Sequence, residues 1–354
     1  MTNSIQVQKK EGEKARKTLI ELNLLDKKHE ILKEKNHLFI PIKKEPNQKE
    51  KRKIQKNLKN PKFTVKNHKK HKNNYQNLKT ALKNKLTPKQ LEKAPSSFDI
   101  VGDIAIIEIP SELKNQKEII GEELMKVHKH LKTVLTPTTS VQGEYRTRKY
   151  EKIAGKNKTT TIHKEHGCKY KIDLSKAFFS PRLSKERERI KNQVKENEKV
   201  IDMFTGVGPF AILIAKKTKA QKIIAVDKNK TAIKLLKENI KTNKVEKKTK
   251  PIHADIRKIA QKYKGYADRT IMNLPFKSGD FLKTALKLIG DKGIIHYYDI
   301  EKEKNLYQKP KKEIKETAQK YNKKTKFLDE RIVRSYSPGV WNIAIDIKIK
   351  NQNK

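Results

Sequence analysis

The segment from Val200 to Phe210 constrains the fold more than any other part of the sequence. It reads VIDMF followed by TGVG and PF, and a predicted helix then extends from Phe210 to Lys217. Gly206 and Gly208 permit a tight turn and a close approach of the backbone to a ligand, because neither has a Cβ. A turn of this kind after a strand lies at the carboxyl edge of an open α/β sheet, where such sheets bind their ligands. The segment therefore predicts a doubly wound α/β domain with a small-molecule site at this turn.

Three further strands follow in a regular order. The apolar run IIAV ends in Asp227, which follows Gly208 by 19 residues, and a short strand ends in Asp255. A fourth strand, residues 269–272, leads into the sequence NLPF at 273–276. The alternation of strands and helices predicts a mainly parallel sheet covered on both faces. This order of parts is typical of methyltransferases that use S-adenosylmethionine.

The acidic residues at the strand ends indicate what the turn binds. Asp227 stands where a carboxylate can accept hydrogen bonds from both hydroxyls of a ribose. Ala211 occupies the place of the third glycine of a dinucleotide fingerprint, and there is no phosphate loop. These features favour a ribose-bearing ligand without a pyrophosphate. Asp202 is expected to orient the turn or to meet the methionine amine, and Asp255 to accept from the adenine amino group. Taken singly, each aspartate could instead be a helix cap or a turn residue.

The charge of the chain points to a polyanionic partner. The sequence has 86 Lys and Arg against 40 Asp and Glu, a net charge of +46, which favours nucleic acid before membrane. A Lys- and Asn-rich proteome could supply part of this charge without any function. The single cysteine, Cys168, excludes an internal disulfide and suits a reducing compartment. No apolar run approaches the ~20 residues of a membrane-spanning helix. We expect a cytoplasmic protein.

Composition and periodicity divide the chain into four parts. Residues 1–42 predict a small α/β domain, and residues 43–74, with 11 Lys and Arg between positions 49 and 72, predict a basic linker. Residues 75–174 predict a mixed α/β domain with no nucleotide fingerprint of its own. Residues 175–354 predict the methyltransferase domain, whose last two strands form a hairpin that turns at residues 337–339.

The NLPF loop resembles the Asn/Asp-Pro-Pro-aromatic loop of enzymes that methylate amide or ring nitrogens. Asn273 can offer an acceptor and a donor to a planar substrate edge, and Pro275 stiffens the backbone. Phe276 could stack on a base. The alternative interpretation is a strand that simply ends at a proline.

Nearly the whole chain resembles the archaeal and eukaryotic tRNA methyltransferases that modify N1 of guanosine 37, beside the anticodon. The similarity to this family is carried by residues 143–148, 162–167, 179–183, 186–190, 202–210 and 273–275. The N-terminal residues 9–42 resemble the small domain with which archaeal members contact the outer corner of tRNA. The resemblance implies S-adenosylmethionine as cofactor, tRNA as partner at its anticodon loop and outer corner, and a class I, Rossmann-like catalytic domain. A monomer suits such a grip on one tRNA.

The resemblance also implies roles for individual residues. Glu186 matches the general base that takes the N1 proton of guanine, and Arg146 matches the residue that stabilises O6, with Arg148 as the neighbouring candidate. Asn273 would hold the base edge and Pro275 would shape the pocket. Without the resemblance, Glu186 could be a first-turn helix carboxylate and either arginine a phosphate contact.

The cofactor site implied by the family joins the glycine turn to two aromatic residues. It comprises Asp202, Gly206, Gly208, Asp227 and Asp255 together with Phe204 and Phe178. Phe178 stands where many members have a tyrosine, so an aromatic wall is kept and its hydroxyl is lost.

Two other enzymes and one non-enzyme remain alternatives at this stage. Relatives methylate the tricyclic imidazopurine of the wyosine pathway or transfer an aminocarboxypropyl group at the same tRNA position. A non-catalytic RNA-binding protein with the same fold is the alternative of another class. His163, His166 and Cys168 have the spacing of three zinc ligands, but no fourth ligand lies nearby and the stretch belongs to a family motif without metal, so we expect no metal site.

Overall fold

The computed structural model describes residues 1–26, 28–69, 77–141 and 143–352. The chain divides into two compact units, Met1–Gln76 and Asn77–Lys354. No helix in the described residues is long and apolar enough to cross a membrane.

The first unit is a four-stranded antiparallel sheet with two helices. In chain order its elements are β1 (Thr2–Gln8), α1 (Gly12–Glu21), β2 (Leu32–Glu34), β3 (His37–Pro41), α2 (Gln48–Asn57) and β4 (Lys62–Lys66), and a 3-10 turn, Lys9–Glu11, precedes α1. The strand order is β2-β3-β1-β4. Ile5 of β1 lies in the core with Leu19 of α1 and Ile40 of β3, and each is fully buried.

The prediction of a linker at residues 43–74 is wrong for its structured part. Helix α2 begins at an Asn47–Glu50 capping box and buries Ile54, and β4 pairs with β1 along its length. Ile54 and Leu58 are four residues apart, so they lie on one face of the helix and join the core of the unit. Two buried residues are enough to fix this helix, although lysine and asparagine dominate the composition. Residues 70–74 of the predicted linker lie outside the described residues.

The second unit begins with a four-stranded mixed sheet and two layers of short helices. Its first elements are α3 (Leu78–Leu82), α4 (Pro88–Lys93), β5 (Asp99–Val101), β6 (Ile104–Ile106), a 3-10 helix (Ser111–Gln116), α5 (Lys117–Val127), β7 (Thr133–Pro137) and β8 (Tyr150–Gly155). The strand order is β5-β6-β7-β8, with β6 and β7 parallel. A separate hairpin follows, β9 (Thr160–Glu165) and β10 (Cys168–Asp173).

The rest of the second unit is the predicted α/β sheet. Its elements are a 3-10 turn (Pro181–Leu183), α6 (Ser184–Gln193), β11 (Lys199–Asp202), α7 (Pro209–Lys217), β12 (Lys222–Asp227), α8 (Lys230–Asn243), β13 (Thr249–His253), α9 (Ile256–Ile259), β14 (Ala267–Met272), α10 (Ser278–Leu288), β15 (Ile289–Lys302), α11 (Gln308–Lys320), β16 (Lys323–Ser337) and β17 (Val340–Asn351). The strand order is β13-β12-β11-β14-β15-β17-β16, parallel as far as β15 and antiparallel beyond it. The predicted doubly wound sheet and its terminal hairpin are confirmed.

The β9–β10 hairpin contacts both halves of this unit. The Thr161 hydroxyl accepts from Asp103 N at 3.1 Å, in the turn between β5 and β6. The amide side chains of Asn239 and Asn243 on α8 each bond the N–H and the C=O of one residue of β10, Lys171 and Lys169 respectively. The predicted boundary at residues 174/175 therefore falls at the end of a hairpin that joins the mixed sheet to the catalytic sheet.

Candidate active site

A cavity opens at the carboxyl edge of the parallel strands, beside the turn that follows β11. Its wall includes eight of the eleven predicted site residues: Arg146, Phe178, Phe204, Gly206, Asp227, Asp255, Asn273 and Pro275. Asp202, Gly208 and Glu186 do not line it. The ends of the parallel strands supply Phe204, Gly206, Asp227, Asp255, Asn273 and Pro275, whereas Arg146 and Phe178 come from loops outside this sheet.

The two glycines of the turn have different structural roles. Both have left-handed backbones, φ +55° at Gly206 and +90° at Gly208. A Cβ on Gly208 would meet Leu236 Cδ1 at 2.3 Å and Ile212 Cδ1 at 3.0 Å, whereas one on Gly206 would meet only Phe178 O at 3.6 Å. Gly208 therefore lets α7 pack closely on its neighbour helix. The prediction that a ligand can approach the backbone closely therefore holds for Gly206 and not for Gly208.

Alanine substitutions should separate these two roles. We expect Gly208→Ala to lower the free energy of unfolding by about 3 kcal/mol, because the left-handed strain adds to a side-chain collision. Gly206→Ala should cost about 1 kcal/mol but weaken S-adenosylmethionine binding, because it adds a methyl group at the cavity wall. Urea unfolding and calorimetric titration of the cofactor measure the two effects. Equal losses of stability in both variants would contradict this assignment.

Backbone N–H groups fix the orientation of the Asp227 carboxylate, and its oxygens can still accept hydrogen bonds from a ligand. Its Oδ2 accepts from Gly206 N at 2.6 Å and its Oδ1 from Asn229 N at 2.8 Å. A carboxylate has about four acceptor positions, so each oxygen keeps one for a further donor. Burial raises the pKa of the Asp227 carboxyl group above its ordinary value. The two free acceptor positions fit the paired hydroxyls of a ribose.

Asp202 lies behind the cavity wall, at the end of β11. It is 1% exposed, and its polar neighbours, the Thr205 hydroxyl and the N–H groups of Phe204 and Ala211, make no well-formed hydrogen bond to either carboxylate oxygen within the described part of the chain. Burial, with the Asp227 charge nearby, raises the pKa of Asp202 to about 7. A buried acid without a partner is costly and favours a cationic or donor group beside it. The predicted role toward the methionine amine remains a prediction.

Another part of the cavity wall is acidic and aromatic. Asp255 caps α9 by accepting from Arg257 N at 2.9 Å, and its carboxylate also pairs with the Arg257 guanidinium. Phe204 meets Phe281 edge to face, with ring centroids 4.8 Å apart, and Arg257 lies 4.7 Å above the Phe281 ring. Asp255 is therefore both a cap and a cavity residue, and the Phe204 ring offers a flat apolar face against which a planar ligand can pack.

Arg146 joins the motif at residues 143–148 to the NLPF loop. Its guanidinium lies 5.3 Å from the Phe178 ring centre and 5.6 Å from that of Phe276, and Nη1 donates to Pro275 O at 3.3 Å. Burial lowers the pKa of the Arg146 guanidinium, but arginine stays charged. Arg148 pairs instead with Glu108 at 2.8 Å and does not line the cavity. Of the two candidate arginines, the structure brings Arg146 to the site.

The NLPF loop is held in an uncommon conformation by Asp299. Phe276 has φ +76°, and its N–H donates to Asp299 Oδ1 at 3.1 Å. Tyr297 fixes the other oxygen of the same carboxylate at 2.8 Å. A left-handed phenylalanine is strained and persists only where neighbours fix it. The loop thereby presents Asn273 to the cavity, while the Phe276 ring is 56% exposed and lies beside Arg146, a residue of the cavity wall.

Glu186 lies one layer behind the cavity wall, on α6. Its carboxylate is 6% exposed and accepts from the Arg189 guanidinium at 2.6 Å and from the Tyr298 hydroxyl at 2.7 Å. The Tyr298 ring in turn packs against Phe210, which does line the cavity. Glu186 therefore has to exchange one of these partners in order to reach a base in the cavity.

A row of buried polar groups extends from Glu186 across the sheet. Arg189 also contacts Asp346, which accepts from His296 Nδ1 at 2.6 Å, and His296 Nε2 lies 2.7 Å from Arg269 Nη1. Because a guanidinium only donates, His296 Nε2 accepts and its Nδ1–H donates to Asp346, so the ring is neutral. Burial lowers the pKa of His296, which agrees with this state. The row fastens α6 to the antiparallel end of the sheet.

Arg334 and Asn342 are among the cavity residues that sequence reasoning missed. Arg334 of β16 lies directly opposite Asn342 of β17 in the register of the terminal hairpin. Neither belongs to a recognisable motif. Only the strand register reveals them, since it places both side chains on the face of the sheet that borders the cavity.

His163, His166 and Cys168 are engaged in other contacts. His163 Nδ1 accepts from Gly102 N at 3.2 Å, His166 Nε2 lies 2.9 Å from the Ser184 hydroxyl, and Cys168 is fully buried. The described residues contain no group of three or more His, Cys, Asp or Glu side chains that could hold a metal ion.

Three family descriptions match successive parts of the chain. The tRNA methyltransferase 5 N-terminal domain matches residues 4–50, the TYW2 N-terminal domain matches residues 78–159, and the TRM5/TYW2 methyltransferase domain matches residues 161–327. The last match covers the glycine turn, Asp227, Asp255 and the NLPF loop.

Relatives and solved structures agree with these matches. The tRNA (guanine(37)-N(1))-methyltransferase Trm5b of Pyrococcus abyssi is 42% identical over 99% of this chain and 99% of its own length. A tRNA(Phe) (4-demethylwyosine(37)-C(7)) aminocarboxypropyltransferase of Methanocaldococcus jannaschii is 37% identical over 72% of this chain and 98% of its own length.

Two solved structures show the same fold. The complex of aTrm5 with tRNALeu has a TM-score of 0.70 at 36% identity and covers 98% of this chain and 99% of its own. M. jannaschii TYW2 in complex with AdoMet has a TM-score of 0.56 at 32% identity and covers 72% of this chain and all of its own. With a relative of 42% identity that is matched along its whole length, the chain belongs to the TRM5/TYW2 methyltransferase family.

Proposed function

We propose that this protein transfers a methyl group from S-adenosylmethionine to N1 of guanosine 37 in tRNA. The observation that carries the proposal is Arg146, whose half-buried guanidinium lies 5.3 Å and 5.6 Å from two aromatic ring centres and donates to Pro275 O of the NLPF loop. A planar hydrogen-bond donor that is fixed at this position can stabilise an oxygen atom that becomes negatively charged during the reaction. The relative that matches the whole chain is named for the same reaction.

The cofactor fits the acidic and aromatic end of the cavity. Asp227 would bind the ribose hydroxyls, Asp255 the adenine amino group, and Phe204 the face of the adenine ring. When bound, S-adenosylmethionine supplies an electrophilic methyl group on its sulfonium. The same end of the cavity has no glycine-rich phosphate loop, which agrees with a ligand that carries no phosphate.

The reaction needs a base because N1 of guanine carries a proton at neutral pH. Glu186 would take this proton, the new bond would form between N1 and the methyl carbon, and the carbon–sulfur bond would break. As the N1 proton leaves, negative charge grows on O6, where Arg146 would stabilise it. Asn273 would fix the base edge, and Phe178 and Phe276 would pack beside the flipped base.

The direct test is transfer of labelled methyl to a tRNA transcript with guanosine at position 37, with the product nucleoside identified by mass spectrometry. A transcript with adenosine at that position is the matched control. We expect 1-methylguanosine on the first transcript alone. Cofactor binding without labelling of either transcript would overturn the proposal in favour of an enzyme that acts on a previously modified base.

The enzyme that transfers an aminocarboxypropyl group is the second candidate. The relative named for that reaction matches 72% of this chain, whereas the guanine methyltransferase matches 99%. The match to the tRNA methyltransferase 5 N-terminal domain also favours N1 methylation. Mass spectrometry of the product distinguishes the two groups, because a methyl and an aminocarboxypropyl group differ in mass.

The first unit is expected to bind the tRNA outside the anticodon loop. Removing residues 1–42 would leave β4 and α2 without the strand and core that they pack on, so the informative truncation removes residues 1–76. We expect the truncated enzyme to lose about tenfold or more in tRNA affinity, with a shallower salt dependence, because phosphate contacts are lost. Its affinity for S-adenosylmethionine should stay unchanged, as measured by calorimetry. Loss of cofactor binding in the truncated enzyme would contradict the modular arrangement.

We also infer that one chain acts as a monomer in the cytoplasm. The cavity wall is formed by residues between positions 144 and 342 of one chain, which supports this inference. Sedimentation of the enzyme with one equivalent of tRNA would test the stoichiometry.

A further inference from the structure

The terminal hairpin presents two unsatisfied polar groups to the cavity. Asn342 is 2% exposed and its Oδ1 has no hydrogen-bond partner, and the buried Nε of Arg334 has none either, within the residues that the structure describes. The two residues are opposite each other on β16 and β17, and both line the cavity. A buried donor or acceptor without a partner costs about 1–3 kcal/mol. Two such groups side by side at a binding cavity point to a ligand that supplies their partners.

The surroundings of Arg334 define the charge of that ligand. Burial and the nearby Arg182 charge lower the pKa of the Arg334 guanidinium. The carboxylate near Arg334 is Asp99, and it is engaged by Arg182 at 2.7 Å. Arg146 lies close enough to Arg334 for the two charges to repel each other. An anion would relieve this accumulation of positive charge.

The position of the two residues assigns the anion to the RNA rather than to the cofactor. Tyr336, two residues after Arg334 on β16, meets the Phe276 ring edge to face with centroids 5.2 Å apart. Both rings are exposed, 43% and 56%, and the Phe276 ring centre lies 5.6 Å from the Arg146 guanidinium, where the proposed function places the target base. The proposed function places the ribose and the adenine of the cofactor at Asp227 and Asp255 instead. A flipped nucleotide brings its backbone to the same mouth as its base.

We propose that Arg334 and Asn342 form a ribose–phosphate subsite for the target nucleotide. Arg334 binds a backbone phosphate that flanks the flipped base, and Asn342 Oδ1 accepts from the ribose 2′-hydroxyl, a donor that RNA has and DNA lacks. This inference rests on the proposed function, because it requires a base to enter the cavity. It adds residues from the terminal hairpin to a site otherwise built from the strand ends and the Arg146 loop.

The test is a coupling measurement between protein and RNA variants. Ligated full-length tRNAs would carry a single neutral methylphosphonate on either side of nucleotide 37, or a 2′-deoxy sugar at that nucleotide. We expect Arg334→Gln to weaken binding of unmodified tRNA about tenfold and to lower the salt slope by roughly 0.7–0.9, the value for one phosphate. One of the two methylphosphonate tRNAs should bind the wild type about tenfold more weakly than unmodified tRNA does. The same substitution should not weaken tRNA binding by Arg334→Gln any further. The 2′-deoxy sugar should affect the wild type and leave Asn342→Ala unaffected.

Matched controls make the measurement decisive. Arg331→Gln removes an arginine of the same strand that pairs with Asp329 outside the cavity, and it should retain the coupling of the wild type. The coupling compares different tRNAs on the same protein variant. A loss of stability in that variant affects all of these tRNAs equally and therefore does not change the coupling. Arg334→Lys, which keeps the charge, should bind the unmodified tRNA more tightly than Arg334→Gln.

The outcomes separate this inference from the proposed function. If Arg334→Gln loses affinity for S-adenosylmethionine and not for tRNA, its anion is the methionine carboxylate and the subsite is refuted. The subsite would also be refuted if each methylphosphonate weakened tRNA binding by Arg334→Gln as much as it weakens tRNA binding by the wild type. Formation of 1-methylguanosine by the wild type, measured in parallel, tests the function independently of any coupling.

Discussion

Glu186→Gln is expected to reduce the turnover of guanosine-37 tRNA roughly 100-fold or more, the effect of losing a general base. An amide cannot accept the N1 proton, so the unreactive protonated base would remain in the cavity. Affinity for S-adenosylmethionine should stay near that of the wild type, because Glu186 lies on α6 and outside the cavity wall. Single-turnover kinetics with saturating tRNA, together with calorimetric cofactor titration, measure both quantities.

Two checks guard against a structural explanation of this loss. The glutamine amide would direct N–H groups toward the Arg189 guanidinium, which itself only donates, so the variant's thermal unfolding must be measured. Glu188→Gln is the control on the same helix, with a side chain 49% exposed beside His166, and it should turn over normally. Unchanged turnover in Glu186→Gln would remove this residue as the base and leave Asp202 or Asp255 to be tested.

Arg146→Lys is expected to reduce kcat about 100-fold while tRNA affinity changes little. Lysine keeps the charge but loses the planar fork that bonds Pro275 O and lies between the Phe178 and Phe276 rings. The stabilisation of O6 needs a donor fixed in direction, which a flexible ammonium does not provide. The measurement is single-turnover methyl transfer, with tRNA binding determined in the absence of cofactor.

Arg148→Lys is the matched control for this second prediction. Its guanidinium pairs with Glu108 outside the cavity, and pairs of this kind contribute about 1 kcal/mol or less. We therefore expect nearly normal kcat. Equal losses in the two variants would mean that the loop at residues 143–148 matters as a whole, and Arg146 would have no special role at O6.

The parts of the site that could be predicted from the sequence depend on local order. Asp227 and Asp255 each follow a strand directly, and Gly206 stands in the turn after β11, so their places at the cavity follow once the strands are recognised. Arg146 was found through a motif and not through spacing. Arg334 and Asn342 could not be found, because their position depends on the register between strands that pair antiparallel beyond β15.

Lysine-rich segments account for the fold elements that the sequence did not reveal. Helix α2 has Ile54 as its buried residue, and α11, which was not predicted, buries Pro310, Ile314 and Ala318. In both helices the buried residues recur every four positions, counting Leu58 at the end of α2. The charged residues between them hide this pattern in the sequence. Strand β4 pairs with β1 about sixty positions away, and no local signal encodes such a partner.

The place of β17 in the sheet has a consequence for how the enzyme is made. This strand inserts between β15 and β16, although it is synthesised after both. During translation, β15 and β16 therefore cannot pair with β17 until residue 351 has left the ribosome. A chain that ends before Val340 would lack this interior strand, together with Asn342 and Asp346. The sheet can therefore be completed only by chains that are made through β17, because this strand pairs with both of its neighbours.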